Sequence, residues 1–295
     1  MDKRNLYDLT KGRCRGCKIC DGILCGGELP GWGGIDGGSR FASNVRSWNQ
    51  IEVEPASGFP EIAYAPVTGA VQNIGTDEEE PFYFTAAESA KKAGIGFCIG
   101  DGFPDIKLDS GIAAAARCGL TADVFIKPYP DRLWLERAER AASVAGFIGI
   151  DIDSWQIATM AGQAEMERKT AAQLKKLKKS IRFPFVIKGI CDRATVSLLD
   201  EVKPDAAVIS NHGGRVASPP EGTAFLLQRY GADVRRYSGA VWVDGGLRSE
   251  SHLKKAAALG AGRVLIGRPL IQGVLLSGTD GMRAVLESDY GFSKR

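Results

Sequence analysis

Long hydrophobic runs are missing from this 295-residue sequence. No apolar run approaches the roughly 18 residues that a membrane-spanning helix requires. The first residues, Met1 to Lys11, are charged and lack the apolar core of a secretory signal. We therefore expect a protein without a membrane span and with a cytoplasmic location.

Net charge is also small, at +3, which is too mild to predict a nucleic-acid partner. One lysine-rich stretch, 173–182, resembles a nucleic-acid-binding segment at first sight. Its apolar residues Leu174, Leu177 and Ile181 recur at helical spacing, so we expect its lysines to form the solvent-facing side of an amphipathic helix.

Histidine is scarce as well, with two residues in the whole chain. His252, in "SESHLKK", follows an acidic first helical turn, which favours a structural role. His212 lies in "VISNHGGRVASPP" (208–220), directly after an apolar run and three residues before Arg215. That stretch contains too much glycine for an ordinary helix, so His212 is the histidine that we expect to take part in chemistry.

What the sequence does contain, from residue 61 onward, is an alternation of short apolar runs and helical patterns. Near-continuous apolar strands, each followed by a helix, predict a parallel sheet that is buried on both faces. The eight runs are 61–68, 95–100, 122–128, 146–153, 185–189, 205–210, 240–246 and 263–267.

Eight strand–helix units predict an α/β fold of the TIM (β/α)8 barrel class. A doubly wound open sheet is the alternative, but the turn after the first run, "APVTGAVQ", is a poor match to a dinucleotide-binding glycine motif. Residues 1–60 are rich in glycine and cysteine and contain little periodic pattern. We therefore expect a Cys/Gly-rich N-terminal arm over 1–60 and a barrel over 61–295.

Charged and polar residues occur where the predicted strands end. Functional residues of such barrels lie at the carboxyl ends of the strands, and an apolar interior tolerates charges there when they surround a ligand. The residues in these positions are Lys127, Asp151, Asp153, Lys188, Ser210, His212, Asp244, Gly267 and Arg268.

The last two strands end in "VDGGLRSE" (243–250) and "LIGRPL" (265–270). Barrels often bind phosphate through the loops after these two strands. Gly245 and Gly246 allow backbone N–H groups to approach an anion, and Arg248 and Arg268 can add charge-assisted hydrogen bonds. We therefore expect a ligand that carries a phosphate group.

Four segments, "FVIKGI", "VISNHGGR", "VDGGLR" and "LIGRPL", resemble the FMN-dependent 2-hydroxy acid oxidases and dehydrogenases in their order and spacing. The resemblance is strong from about residue 185 to 275 and weaker upstream, so the chain would be a divergent member. It implies an FMN cofactor and the oxidation of a small 2-hydroxy carboxylate to the 2-oxo acid. We also expect a homo-oligomer and an electron acceptor that the sequence does not identify.

The resemblance assigns roles to individual residues. His212 matches the catalytic base, Asp153 the carboxylate that orients it, and Arg215 the arginine that holds the substrate carboxylate. Lys188 matches the lysine beside flavin N1, where a cation stabilises the charge of the reduced ring. The residues expected to contact the cofactor are Pro66, Val67, Thr68, Asp151, Lys188, Ser210, Asp244, Gly245, Gly246, Arg248, Gly267 and Arg268.

The chain departs from the family pattern at residues that bind the substrate and the flavin. Lys127 stands where a substrate-contacting tyrosine is expected, and Phe125 replaces a glutamine. Met160 falls near the place of a second substrate-binding arginine. Lys127 could act as a carboxylate partner in their place. The missing arginine also leaves open an alternative function, a flavoprotein electron carrier or redox sensor without 2-hydroxy acid activity.

Four cysteines, Cys14, Cys17, Cys20 and Cys25, are spaced C-x2-C-x2-C-x4-C. The last gap is one residue longer than in a bacterial ferredoxin run. Four thiolates this close could bind an iron–sulfur cluster or zinc; a reduced cysteine-rich arm or a redox disulfide are the alternatives. An iron–sulfur cluster would suggest that electrons leave the flavin toward a partner protein. The other three, Cys98, Cys118 and Cys191, are predicted to be buried as small apolar residues.

Overall fold

The computed structural model describes residues 38–292. Its centre is a closed barrel of eight parallel strands in sequential order, so the predicted TIM barrel is confirmed. The first strand pairs with the second through Ala63 and Gly96 and with the last through Tyr64 and Ile266, which closes the barrel. The strands are β1 Glu61–Tyr64, β2 Gly96–Gly100, β3 Ala122–Ile126, β4 Ala145–Asp151, β5 Phe185–Ile190, β6 Ala206–Ile209, β7 Val241–Asp244 and β8 Arg263–Ile266.

Ten α-helices lie among the described residues, one before the barrel and the others around it or after it. They are α1 Gly38–Gln50, α2 Glu80–Ala93, α3 Ile106–Cys118, α4 Asp131–Ala141, α5 Ala171–Ser180, α6 Arg193–Val202, α7 Thr223–Tyr237, α8 Glu250–Ala258, α9 Arg268–Ser277 and α10 Gly281–Tyr290. Short turns interrupt the loops at Ala70–Ile74, Ile152–Gln156, Ala158–Met160, His212–Gly214 and Gly278–Asp280.

Two apolar cores hold the barrel together. The larger core lies between strands and helices, and a smaller one fills the barrel interior, where Phe125 and Trp242 pack against small side chains such as Ala63 and Ala206. Mixing large and small residues in this way fills the interior without voids, as is typical of eight-stranded barrels. Because the interior is solid, a ligand has room only at the ends of the strands.

Helix α5 confirms the interpretation of the lysine-rich stretch. Leu174 and Leu177 are fully buried, and Lys179 on the opposite face is exposed. The helix begins at a capping box, in which Thr170 and Gln173 satisfy each other's backbone N–H groups. Nothing among residues 38–292 has the helical length and apolarity that crossing a bilayer demands.

Helix α1 lies inside the segment predicted as an arm, and the sequence analysis did not predict it. Its Asn44 exchanges two hydrogen bonds with Asn211, of 2.8 and 2.9 Å, and its Trp48 Nε1 donates to the Gly245 carbonyl at 2.8 Å. All three contacts reach loops that follow strands β6 and β7. The boundary between arm and barrel at residue 60 stays a prediction.

Candidate functional site

A cavity of about 1070 Å³ opens where the strands end. This volume includes the open mouth of the cavity, and the carboxyl ends of the strands are where barrels of this class bind their ligands. The predicted site residues that line it are Pro66, Val67, Thr68, Lys127, Asp151, Lys188, His212, Arg215, Asp244, Gly245, Gly246, Arg248, Gly267 and Arg268. Asp153 and Ser210 do not line the cavity; both contact His212 instead.

The histidine of the site is held from both its ring and its backbone. His212 Nδ1 lies 3.0 Å from Asp153 Oδ1, and its backbone N–H donates to the Ser210 hydroxyl at 3.1 Å. The residue itself has a φ of +55°, which is rare for a side chain with a Cβ and is found at functional sites. Asp153 therefore occupies Nδ1 and leaves Nε2 as the ring nitrogen that can exchange a proton with a substrate.

The two glycines after His212 are required by the backbone and by helix α1. Gly213 and Gly214 have φ values of +64° and +85°. A Cβ on Gly214 would lie 2.7 Å from the Cβ of Arg40 in α1, which is closer than side-chain carbons approach. The "HGG" sequence thus allows a tight left-handed turn directly beneath the helix.

A buried carboxylate joins two lysines at the centre of the site. Asp151 accepts from Lys127 Nζ at 2.7 Å and from Lys188 Nζ at 2.9 Å; all three residues are at most 6% exposed. Burial alone would raise the pKa of Asp151, but His212 and the two lysines outweigh it and hold that pKa well below its ordinary value.

Burial and neighbouring charges also have opposite effects on the pKa of Lys188. Burial alone would lower its pKa, yet the carboxylates of Asp151 and Asp244 outweigh burial and raise it above the ordinary value. Lys188 is therefore a permanent cation on the cavity wall, two residues before the end of β5. Asp244 contributes one oxygen 3.6 Å from Lys188, while its other oxygen, Oδ1, is buried and has no partner among the described residues.

Arg215 faces the cavity with neutral partners. Its guanidinium donates to Thr159 Oγ1 at 3.1 Å and to Asn73 Oδ1 at 3.3 Å. Burial lowers its pKa to about 10, and Asp151 opposes that shift only in part, so the group stays charged at neutral pH. A half-buried cation held by neutral oxygens has capacity left for an anionic ligand.

The loops after β7 and β8, which the sequence predicts to bind phosphate, line one part of the cavity. Arg268 lies over the ring of Phe41, with its Cζ 3.6 Å from the ring centroid, and its guanidinium makes no hydrogen bond or ion pair within residues 38–292. A Cβ on Gly246 would lie 2.4 Å from the Asn44 backbone, so a side chain there would displace α1. Burial, with Arg248 and Arg215 nearby, holds the pKa of Arg268 well below its ordinary value. A bound anion would relieve that cost.

Sequence reasoning missed one wall of the cavity. Phe41, Gln72, Asn73, Lys107 and Thr159 all line it, but none follows a strand directly. Asn73 and Gln72 belong to the turn Ala70–Ile74 after β1, and Lys107 lies in the first turn of α3. The one sequence signal that could have identified any of these residues is the short distance along the chain between Asn73 and the "APVTG" segment. Met160, near the expected second arginine, also lines the cavity and is buried.

His252 and the cysteines are the other residues for which the sequence makes a prediction. His252 is 5% exposed; its Nδ1 accepts the Arg248 N–H at 3.0 Å and its Nε2 lies 2.9 Å from Asn49 Oδ1, which agrees with a structural role. Cys98 and Cys191 are buried and Cys118 is half-buried. The four predicted metal ligands Cys14, Cys17, Cys20 and Cys25 lie outside the described residues.

Comparison with known proteins gives a family and a fold. The family model described as FMN-dependent dehydrogenase matches residues 108–288, which is more than half of the chain. Among solved structures, mandelate oxidase with (S)-2-phenylpropionate superposes with a TM-score of 0.71 and 23% identity, covering 96% of this chain and 90% of that one. At that identity the superposition supports the fold alone.

Curated relatives match over a shorter segment. A peroxisomal (S)-2-hydroxyacid oxidase of Arabidopsis thaliana is 37% identical over 111 residues, which is 38% of this chain and 30% of that protein. An L-lactate oxidase of a Roseobacter species is 36% identical over 119 residues, or 40% and 31% of the two chains. A 4-hydroxymandelate oxidase of Amycolatopsis orientalis is 39% identical over 106 residues, or 35% and 29%. Each match therefore spans less than a third of the relative's length.

Proposed function

Because this chain belongs to the FMN-dependent dehydrogenase family, we propose that it binds FMN in the cavity at the barrel mouth and oxidises a small 2-hydroxy carboxylate to the 2-oxo acid. The observation that carries the proposal is the placement of His212, held by Asp153 at 3.0 Å, on the same cavity wall as Arg215 and Lys188. A base, an arginine that can bind an anion and a fixed cation therefore surround the same cavity.

The residues of the cavity fit FMN. Asp244 Oδ1 is a buried acceptor without a partner among the described residues, and a hydroxyl of the ribityl chain would satisfy it. The Gly245–Gly246 turn and Arg268 form an anion-binding corner for the phosphate. Lys188 would stand beside the ring system as a fixed positive charge. When bound, FMN supplies the acceptor for the two electrons that leave the substrate.

His212 acts as the base in this proposal. Oxidation of a 2-hydroxy acid removes two electrons and two hydrogen nuclei, one from the hydroxyl group and one from the α-carbon; in a hydride mechanism the α-hydrogen leaves together with both electrons. Nε2 of His212 takes one of them, the hydroxyl proton in a hydride mechanism or the α-proton in a carbanion mechanism. Asp153 then stabilises the protonated imidazole, as carboxylates do in comparable catalytic pairs.

Arg215 and Lys127 hold the substrate carboxylate. The guanidinium offers a planar fork that matches a carboxylate, whereas Lys127 contributes a point charge. Lys127 is held to Asp151 at 2.7 Å, so its ammonium has a fixed position. This pair replaces the two-arginine clamp that the resemblance implied.

An anaerobic substrate panel tests the proposal. Purified protein carrying FMN is mixed with both enantiomers of lactate, mandelate and longer 2-hydroxy acids, and the visible flavin band is recorded. We expect at least one acid to bleach the band in wild-type protein and none to bleach it in His212→Ala. Bleaching by His212→Ala at the wild-type rate would remove His212 from the reaction.

A second candidate function is favoured by Met160. This buried side chain lines the cavity near the place where the resemblance predicts an arginine. An electron carrier or redox sensor would need no such clamp. In the same panel, a carrier would leave the band intact with every acid and lose it with an external reductant.

The cysteine-rich segment carries a separate proposal, that Cys14, Cys17, Cys20 and Cys25 bind an iron–sulfur cluster or zinc. Its support is the spacing of the four residues. Iron, zinc and acid-labile sulfide are measured after anaerobic purification, and a metal-free protein with four additional titratable thiols would exclude it. The homo-oligomer and the cytoplasmic location stay predictions.

A further inference from the structure

Lys107 is a buried cation that the reaction as described does not use. It is 7% exposed, lines the cavity and donates to the neutral Gln72 Oε1 at 2.8 Å. Within the part of the chain that the structure describes, it forms no ion pair. Burying a charge without a counter-charge is costly, and a cation placed in this way indicates an anionic ligand.

The negative charge of Glu79 acts on Lys107, but the Glu79 carboxylate accepts its hydrogen bonds from other groups. Oε2 of Glu79 accepts from the Ala70 N–H at 2.7 Å and from the Tyr83 hydroxyl at 3.3 Å. Burial lowers the pKa of Lys107; Glu79 opposes that shift, while Arg215 adds to it. The charges of Lys107 and Arg215 therefore act on each other across the same cavity.

A row of polar contacts connects these two cations. Arg215 donates to the Thr159 hydroxyl at 3.1 Å, and Gln72 Nε2 reaches the Thr159 carbonyl at 3.5 Å, while Oε1 of Gln72 holds Lys107. The four residues come from the segments after β1, β2, β4 and β6, and all line the cavity. The wall thus presents a positive charge at each end and neutral amide and hydroxyl groups between them.

We propose that the substrate is a 2-hydroxy dicarboxylate, whose first carboxylate pairs with Arg215 and Lys127 and whose second carboxylate pairs with Lys107. This inference rests on the proposed function and names its substrate class. The Gln72 amide N–H contact of 3.5 Å is long, so this group is able to turn to the second carboxylate. Lys107 is a specificity-determining residue in this arrangement.

Inert product analogues of matched length test the proposal. The FMN-loaded protein is titrated by calorimetry with 2-oxopentanedioate and with 2-oxopentanoate, which differ in the terminal carboxylate alone. One charged contact is worth a roughly 10- to 100-fold preference, so we expect wild type to bind the dicarboxylate more tightly by about that factor.

Variants at Lys107 assign the preference to one side chain. Lys107→Met should bind the dicarboxylate no more than about threefold more tightly than the monocarboxylate, with monocarboxylate affinity unchanged, and Lys107→Arg should keep most of the preference. Lys179→Met, at an exposed position of α5, is the matched control and should behave as wild type. If Lys107→Met does not fold, Lys107→Gln takes its place.

The outcomes separate this inference from the function on which it rests. Equal affinity of wild type for both analogues overturns the dicarboxylate assignment and leaves the proposed function intact. A preference that survives in Lys107→Met overturns the role of Lys107. Failure of both analogues to bind wild type overturns the proposed function and the inference together.

Discussion

The Nζ of Lys127 lies 3.4 Å from Nε2 of His212, while Asp153 contacts the other ring nitrogen, Nδ1. An ammonium only donates hydrogen bonds, so Nε2 is the acceptor of this long contact and Nδ1 carries the proton that faces Asp153. The base is therefore covered by a cation before substrate binds. A carboxylate that pairs with Lys127 would weaken the contact and free the Nε2 lone pair.

Lys127→Met separates substrate binding from proton removal. The variant loses one carboxylate partner but no longer covers Nε2, so the dissociation constant for substrate should rise by about 10-fold, the worth of one charged contact. The limiting rate of flavin reduction should change much less. Anaerobic stopped-flow traces at several substrate concentrations give both quantities, with Lys127→Arg as the charge-retaining control. A large fall in the limiting rate at unchanged affinity would contradict this role.

Asp153→Asn should affect the limiting rate instead. The amide cannot stabilise a protonated imidazole, and loss of such a carboxylate slows comparable pairs by about 10²–10⁴-fold. Affinity for an inert 2-oxo acid should stay within about threefold of wild type, because Asp153 does not line the cavity. The same stopped-flow experiment measures the rate, and Asp200→Asn, at an exposed position, controls for the substitution. An unchanged rate would show that His212 needs no carboxylate partner.

Arg215→Lys keeps the positive charge but removes the planar guanidinium group, which can donate two hydrogen bonds to one carboxylate. Loss of a bidentate pair at a half-buried site costs about 1–3 kcal/mol, or roughly 5- to 150-fold in affinity. Calorimetric titration of the variant with 2-oxopentanoate should show that loss while FMN stays bound. Wild-type affinity in this variant would mean that Arg215 does not contact the carboxylate.

His252 makes stability depend on pH. Burial, then the charges of Lys255 and Arg248, lower its pKa to about 4, whereas an unfolded chain protonates histidine near pH 6.5. Between those values the unfolded state binds more protons, so the contribution is fully present above pH 6.5 and is lost as the pH falls toward 4. Between about pH 7 and pH 5 the free energy of unfolding should fall by roughly 1–2 kcal/mol from this group.

His252→Asn removes that titration and keeps an acceptor for the Arg248 N–H. Urea unfolding of both proteins at two pH values measures the difference. Asp101, whose pKa is raised to about 6 by burial, contributes with the opposite sign, but it does so equally in both proteins. An identical pH dependence of wild type and variant would contradict the buried neutral state of His252.

The sequence was sufficient for the barrel and for half of the site, for a physical reason. A buried parallel strand is apolar along most of its length, so a charged residue at or near its carboxyl end, such as Lys127, Asp151 or Lys188, is visible in the sequence. Since the strands are parallel, their ends lie together, and the predicted residues meet in one cavity.

The other half depends on packing between loops that sequence patterns do not reveal. Lys107 looks like an ordinary first-turn residue of a surface helix, and only the fold shows it buried beside Gln72. Helix α1 buries Phe41 and Trp48, but its attachment to the loop after β6 depends on the Asn44–Asn211 pair, 167 residues apart in sequence. Such long-range polar contacts leave no periodic signal.

Uptake of FMN is the most direct test of the central claim, that the cavity beneath α1 is a flavin site. Protein stripped of small molecules is titrated with FMN while flavin fluorescence and absorbance are followed, in wild type and in Gly246→Val, whose side chain would collide with the Asn44 backbone. We expect stoichiometric binding by wild type and a clear loss of affinity in the folded variant. Wild-type protein that takes up no FMN would show that this cavity is not a flavin site.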